Sequence, residues 1–336
     1  MKNTEIDDLT EAVQQRNLVY NADFRYYSNK TASSAGINYG SPDGWVYADK
    51  GKNGKIGFND ATSSCLVVKS EGLDEMSLSQ MLHEFPRWKT VLSGNTVSAK
   101  VALSTSEKVT VWIKLSDGVE TKVTSKTISG SMEFDIQLKI NDDATMLALS
   151  IISSSPGAVI NIYGVYANVG NIVVKSLPCV VQGVIGERKQ YIATENAPAE
   201  ELSLCQAAAE IGADFMRLNS VLNNRFGSGP NGRSMLPDMR GYFSRSWNNG
   251  ADTDKDAATR TPLGGTIGGD RVGTAEADMF LSHNHQMQFD TSGQILSGTS
   301  APLSSINRVV TSRTQQEGGK ETRPKNIAEL YTIKWA

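Results

Sequence analysis

Two stretches near the middle of the chain alternate strictly between apolar and polar residues, and this pattern limits the architecture more than any other feature. In KVTVWIKL, Val109, Val111, Ile113 and Leu115 alternate with Lys108, Thr110, Trp112 and Lys114. In SMEFDIQLKI, Met132, Phe134, Ile136, Leu138 and Ile140 alternate with Glu133, Asp135, Gln137 and Lys139. A period of two sends successive side chains to opposite faces, so each stretch reads as an antiparallel strand with one face on a core. Further strand-like runs cover 97–104, 120–128, 145–153 and 158–168, joined by turns such as Ser116-Asp117-Gly118 and Asn141-Asp142-Asp143. Short strands at this spacing predict a β-sandwich over residues 17–170. Trp112 falls on the polar side of its strand, where an indole can stack on a sugar or seal a subunit contact.

The flanking regions read differently. Ile6, Leu9 and Val13 fall at helical spacing and predict a short N-terminal helix over 1–16, under two heptads and too short for a stable coiled coil. Residues 171–186 read as a linker. The run 199–211, rich in Ala, Glu and Leu, predicts a helix, and DFMRLNSVL adds another turn or two with Phe215, Leu218 and Leu222 on one face. From 227 to 320 the chain is dense in Gly, Ser, Thr, Asn and Asp, too poor in apolar runs to build a core alone. Partner chains or a metal are the remaining ways to order it. The expected class is therefore mainly β, with a jelly-roll-like sandwich followed over 187–336 by a domain of small helices and little private core.

Composition narrows the function classes. With 33 basic against 36 acidic residues in 336, the chain carries no electrostatic footprint for nucleic acid or an anionic membrane. The acidic, polar N-terminus lacks a signal pattern and no apolar run approaches a membrane span, so cytoplasmic synthesis without a signal peptide and no membrane insertion are expected. Cys65, Cys179 and Cys205 are far apart and predict buried free thiols. Asp238 has no carboxylate partner at a readable spacing, and LGGTIGGD neither follows a strand nor opens a helix. No catalytic constellation is legible, and the expectation is a protein that is not an enzyme. His83, in MLHEFPRW, reads as a surface or half-buried residue.

The chain has 3 histidines, and two form His283-Asn284-His285. In an extended strand residues i and i+2 share a face, roughly 6–7 Å apart, so both imidazoles can converge on one metal. Two nitrogens complete no common site, but a three-fold axis would multiply them to six, an octahedral set suited to Fe(II), with Zn, Ni or Co possible. Spacing alone leaves this level with two histidines on a polar surface strand.

Several motifs resemble known families. Asn17-Leu18 through Phe24, the later Gly44-Trp45 and INIYGVYANVG resemble the opening and closing stretches of carbohydrate-binding jelly-roll modules. Leu236-Pro237-Asp238-Met239-Arg240-Gly241 resembles the Leu-Pro-Asp-Leu-Arg-Gly signature of phage tail-collar and short-tail-fibre domains. LCQAAAEIGADFMRLNSVLNNRFG resembles the segment preceding that signature, Gly273–Phe280 resembles the family's approach to His-x-His, and Gly318-Gly319-Lys320-Glu321-Thr322-Arg323-Pro324-Lys325-Asn326 resembles its C-terminal stretch.

The resemblance covers 185–336. It implies an intertwined homotrimer with one axial transition metal, Fe(II) favoured and Zn possible, held by His283 and His285 from each chain. It further implies a virion tail fibre of a phage or phage-like contractile particle, contacting other tail or baseplate proteins and attaching to bacterial surface glycan such as lipopolysaccharide. Receptor contacts are expected in the polar segments 243–275 and 286–312, with Trp247, Asn248, Asn249 and Phe289 as candidates because aromatic and amide side chains suit sugars. A structural collar or baseplate component and a glycan depolymerase are the competing readings.

Overall fold

The computed structural model describes residues 13–29, 31–33, 36–38, 40–51, 53–278 and 326–336, with backbone alone for 31–33 and 36–38. His283, His285, Phe289, the Gly318–Lys325 stretch and most of the expected N-terminal helix lie outside the described residues. The chain forms two compact units, Met1–Thr274 with Glu329–Ala336, and Ala275–Ala328.

The first unit is mainly β. A small hairpin, β1 (Thr31–Ser33) and β2 (Gly36–Asn38), precedes eight strands of one continuous antiparallel network. These are β3 (Val46–Asp49), β4 (Lys55–Asn59), β5 (Ser64–Val68), β6 (Met76–Met81), β7 (Thr96–Ser116), β8 (Thr121–Lys139), β9 (Ala148–Ser153) and β10 (Val159–Val169), with helix α1 (Trp88–Leu92) between β6 and β7. The hairpin β7–β8 is the organising element. The first half of β7, Val97 to Thr105, pairs with β10, whereas its second half, Trp112 to Ser116, pairs with β9. Between them the register of β7 against β8 breaks at Thr105/Val109. The network thus folds into two faces, β3-β6-β9-β7-β8 and β4-β5-β10-β7-β8, sharing the long hairpin.

The alternation that predicts these strands also fills the space between the faces. Val101, Leu103, Val111, Ile113, Leu115, Phe134 and Leu138 are buried with Leu78, Ile151 and Ile160 from the strands opposite. Five positions of the opening motif that resembles carbohydrate-binding modules, Asn17, Leu18, Asn21, Phe24 and Trp45, have structural tasks. Leu18, Phe24 and Trp45 are fully buried, with the rings of Phe24 and Trp45 5.2 Å apart. The Asn17 side chain accepts hydrogen bonds from the N–H groups of Val19 and Ala167, both at 3.0 Å. Asn21, at φ 52°, donates to the carbonyls of Tyr26 and Asp43.

A second, smaller core forms at one end of the sandwich from Tyr20, Val181, Ile185, Leu204, Ile211, Leu218, Leu222, Leu236 and Ile333. It is framed by β11 (Arg188–Tyr191), β12 (Glu201–Ser203), β13 (Ala209–Glu210), helix α2 (Met216–Leu222) and β14 (Met235–Leu236), followed by a 3-10 turn (Ala257–Thr259) and the two-residue strands β15 (Thr261–Pro262) and β16 (Thr274–Ala275). The last strand, β17 (Leu330–Lys334), lies between β11 and β12.

Four sequence expectations change here. The helix expected over 199–211 is absent, because Glu201–Ser203 pairs with β17 and Ala209–Glu210 with β14. Glu201 explains the first part: its carboxylate takes hydrogen bonds from Thr332, from Tyr191 at 2.8 Å and from Lys189 at 2.9 Å, so tertiary pairing overrides Ala-rich propensity. The further turns predicted from DFMRLNSVL are present as α2. The stretch expected to link the halves is tied down: Val181 and Ile185 are buried, and Asn171 to Lys175 lies across a sheet face, with Gln137 donating to the Asn171 carbonyl at 2.7 Å. His83 is buried rather than surface-exposed or half-buried, accepting the Leu147 N–H at 3.0 Å and packing edge-on against Trp88. All three cysteines are free, with Cys65 buried and its thiol pushed up to about 12 by desolvation, whereas Cys179 and Cys205 are half-buried. Among the described residues no helix is long and apolar enough to cross a membrane.

Candidate functional site

The Leu236–Gly241 motif is a turn whose residues have separate tasks. Leu236 is buried in the second core and pairs with Ala209. The Met239 N–H donates to the Leu204 carbonyl at 2.8 Å, fixing the turn to the body. Asp238 accepts from the Arg240 N–H at 3.0 Å and from its Nε at 2.9 Å, and these bonds hold its carboxyl at about 2. Gly241 sits at φ 79°, a region that a side chain strains. The turn delivers the next residues to the surface: Tyr242, Phe243 and Trp247 are 42%, 55% and 50% exposed, three large aromatic side chains within six positions.

The loop that carries Trp247 is stiffened from within. The indole Nε1 donates to the Asp270 carbonyl at 3.2 Å, and the Gly250 N–H donates to the Asp270 carboxylate at 2.7 Å. Asp254 is buried between two guanidinium groups, Arg245 at 3.3 Å and Arg260 at 3.2 Å. Asn248 spends both ends of its amide inside the loop, donating to the Ala251 carbonyl and accepting the Asp254 N–H. Of the three neighbours expected to touch a receptor, Trp247 therefore presents an aromatic surface, Asn248 is a scaffold residue, and Asn249 sits exposed at the φ 48° corner. Arg188 closes the base, its guanidinium 4.7 Å from the Tyr331 ring centroid and hydrogen-bonded to Ser244.

Trp112 lies on the outer face of the other fold element, half-buried, paired with Ser125 on one side and Ile152 on the other. Around it on that face lie Lys114, Ile152 and the hydroxyl residues Thr110, Ser125 and Ser150, with Ser77 and Ser79 one strand further out. Among the described residues no group of three His, Cys, Asp or Glu side chains is arranged to hold a metal ion. The sequence singles out Trp247 and not its exposed neighbours Tyr242 and Phe243. The signal available for these was their place directly after a turn motif, in a segment with no core to enter.

No family model matches the chain. It is similar to Protein RhiB of Rhizobium leguminosarum bv. viciae, 27% identical over 170 residues, which is 49% of this chain and 78% of RhiB. Among solved structures it is similar to TmCBM61 in complex with beta-1,4-galactotriose, at 14% identity and a TM-score of 0.33, covering 46% of this chain and 99% of that one. It is similar also to the CBM22-1 xylan-binding domain of Paenibacillus barcinonensis Xyn10C, at 11% identity and a TM-score of 0.33, covering 46% and 96%. A third is the enzymatically active domain of bacteriophage CBA120 tailspike protein 4, at 12% identity and a TM-score of 0.33, covering 46% of this chain and 21% of that one.

Proposed function

We propose that this protein is a glycan-binding attachment protein, a homotrimeric tail fibre of a phage or phage-like contractile particle that recognises bacterial surface polysaccharide, with lipopolysaccharide as the favoured receptor. The observation that carries this reading is the run of exposed aromatics Tyr242, Phe243 and Trp247 on a loop held by hydrogen bonds and ion pairs. Flat apolar rings suit the C–H faces of sugars, and a stiff loop spares the entropy of ordering them on binding. Weak contacts repeated over three chains and several fibres sum to firm attachment.

The order of the chain supports the tip part of the reading. The polypeptide leaves the first unit after Thr274 and rejoins it at Glu329, where β17 enters between β11 and β12. His283 and His285 fall on that excursion, where three copies would supply six imidazoles to one axial metal, Fe(II) before Zn. The metal would stiffen the fibre and take no part in recognition.

The test is binding of the purified protein to whole bacteria and to extracted lipopolysaccharide, with mass in solution and elemental analysis on the same sample. The expected outcome is a trimer with one transition metal per three chains that binds cells. Trp247→Ala should weaken binding about tenfold with an unchanged melting temperature, a loss of roughly 1.4 kcal/mol. His283→Ala should release the metal and loosen the trimer. A monomeric, metal-free protein that leaves cells unbound would overturn the reading, and digestion of the polysaccharide would replace it with a depolymerase.

A further inference from the structure

The outer face of the sheet opposite Trp112 carries a second aromatic surface, built in a different way. Strand β10 is bulged: Ile162 pairs with Leu103 and Gly164 with Ala102, leaving Tyr163 as the extra residue. Bulges re-aim side chains, and here Tyr163 is turned outward, 37% exposed, with its hydroxyl 2.8 Å from Ser104 Oγ. Three positions on, the Tyr166 ring passes close over Gly164. A Cβ at Gly164 would sit 2.9 Å from both Cε2 and the hydroxyl oxygen of Tyr166. The glycine is not demanded by its backbone angles; what its missing side chain provides is room for the ring to lie against the sheet.

Polar groups flank these rings on both sides. The Asn161 Oδ1 accepts from Asn59 Nδ2 at 3.1 Å and from Ser64 Oγ at 3.3 Å, which orients the Asn161 amide and leaves its Nδ2 without a partner among the described residues. On the other side Lys100, paired across the strands with Tyr166, bridges Asp135 at 3.1 Å and Glu133 at 3.3 Å. Lys175 also pairs with Glu133, so the charges beside Tyr166 balance, two positive against two negative, while Lys55 and Lys139 lie further out on the same face. The segment around Asn171 to Lys175 rises at one end as a wall, held by Asn168 Nδ2 to the Ile172 carbonyl at 2.8 Å. From β4 across to β8 the face is five strands wide, roughly 20 Å.

We infer that this face is a second binding site, for a neutral linear oligosaccharide, with Tyr163 and Tyr166 as stacking platforms and Asn161 as the hydrogen-bonding residue. Flat rings with oriented amides suit a sugar chain, because each pyranose presents an apolar face and a hydroxyl rim. The lysines beside the tyrosines are already paired with carboxylates, which favours a neutral ligand over an anionic glycan at the rings. The site is separate from the Trp247 loop and stands or falls independently of it.

The experiment uses the full-length protein and four probes: cellohexaose, xylohexaose, maltohexaose and, as the charged control, an oligogalacturonate. Calorimetry should find at least one neutral hexasaccharide bound. Tyr166→Ala and Tyr163→Ala should each weaken it tenfold or more, while Trp247→Ala leaves it unchanged. Gly164→Ala keeps both tyrosines but lifts the Tyr166 ring, and should weaken binding at least fivefold at a melting temperature close to that of the parent. If Tyr166→Ala fails to fold, Gly164→Ala and Tyr163→Ala carry the test alone. Three results would overturn the inference: no neutral hexasaccharide bound, oligogalacturonate bound alone, or binding insensitive to the tyrosine and glycine variants.

Discussion

The sandwich and the smaller region at its end are held in contrasting ways. In the sandwich, the core is continuous and supplied by strand alternation, with Val101, Leu103, Val111 and Ile113 at most 1% exposed. Among the described residues the smaller core has nine buried apolar side chains, and one of them, Tyr20, comes from the start of the sandwich chain. It compensates with polar ties. Arg217 on α2 is fully buried and donates to the carbonyls of Leu18 at 2.8 Å and Glu84 at 3.1 Å. The Glu84 carboxylate returns the contact, accepting the N–H groups of Met216 at 2.6 Å and Arg217 at 2.8 Å. Asn29 and Gly44 add hydrogen bonds to Ser220. Burial area stabilises the one region, and directional bonds to its neighbour position the other.

The comparison can be broken most forcefully at Arg217. Arg217→Ala removes the buried hydrogen bonds to the Leu18 and Glu84 carbonyls, and the positive charge near the Glu84 carboxyl, and should cost about 3–5 kcal/mol. Because the cost falls on the tie, calorimetry should show two transitions in place of one; a single unchanged transition would mean the polar ties are dispensable. Next come two leucines, one in each core. Leu103→Ala should cost about 4 kcal/mol and Leu236→Ala about 2 kcal/mol, since the tighter site relaxes less around its cavity. Equal costs by denaturant titration would remove the distinction between the regions.

Acidity probes the same tie. Desolvation raises the Glu84 carboxyl to about 7, against the pull of Arg217 and the two N–H groups. A carboxyl raised on folding contributes stability that is complete below its unfolded value and is lost as pH climbs through the folded one. The wild type should therefore lose up to about 3 kcal/mol, relative to Glu84→Gln, between pH 4.5 and 7. His83, whose imidazole is held low mainly by burial, works in the opposite direction below pH 6.5, whereas the nearby Asp214 charge raises the Glu84 carboxyl further and adds to the loss. Subtracting the Glu84→Gln curve removes the His83 share, and a flat difference would sink the assignment. The smallest effect is expected at Gly241, where Gly241→Ala forces a side chain into φ 79° and should cost about 1 kcal/mol, with the Trp247 loop shifted more than the core.

Much of the sandwich was legible because its signal is local. The alternation at 108–115 and 131–140 depends only on which face each residue meets, and α2 was readable from Leu218 and Leu222 at helical spacing. The failures arose where long-range partners decide. Nothing within 199–211 announces that Glu201 will meet Thr332, so Ala-rich propensity pointed to a helix. His83 reads as a surface or half-buried residue because its partner, the Leu147 N–H, lies 64 residues away. At the candidate sites, aromatic residues in a core-less segment led to Trp247. The bulge that frees Tyr163 and the missing Cβ beneath Tyr166 are properties of strand register, which one strand's sequence does not reveal.

The length of β7 matters for a protein under load. Its 21 residues serve both faces, so the faces are not separate plates joined by a loop that can give way. A pull along β7 would strain its rungs to β8, β9 and β10 together, as in a clasp loaded in shear. A pull across its edge would open them one at a time. An anchor whose attachment points draw along that strand should hold against drag far longer than its equilibrium stability alone suggests.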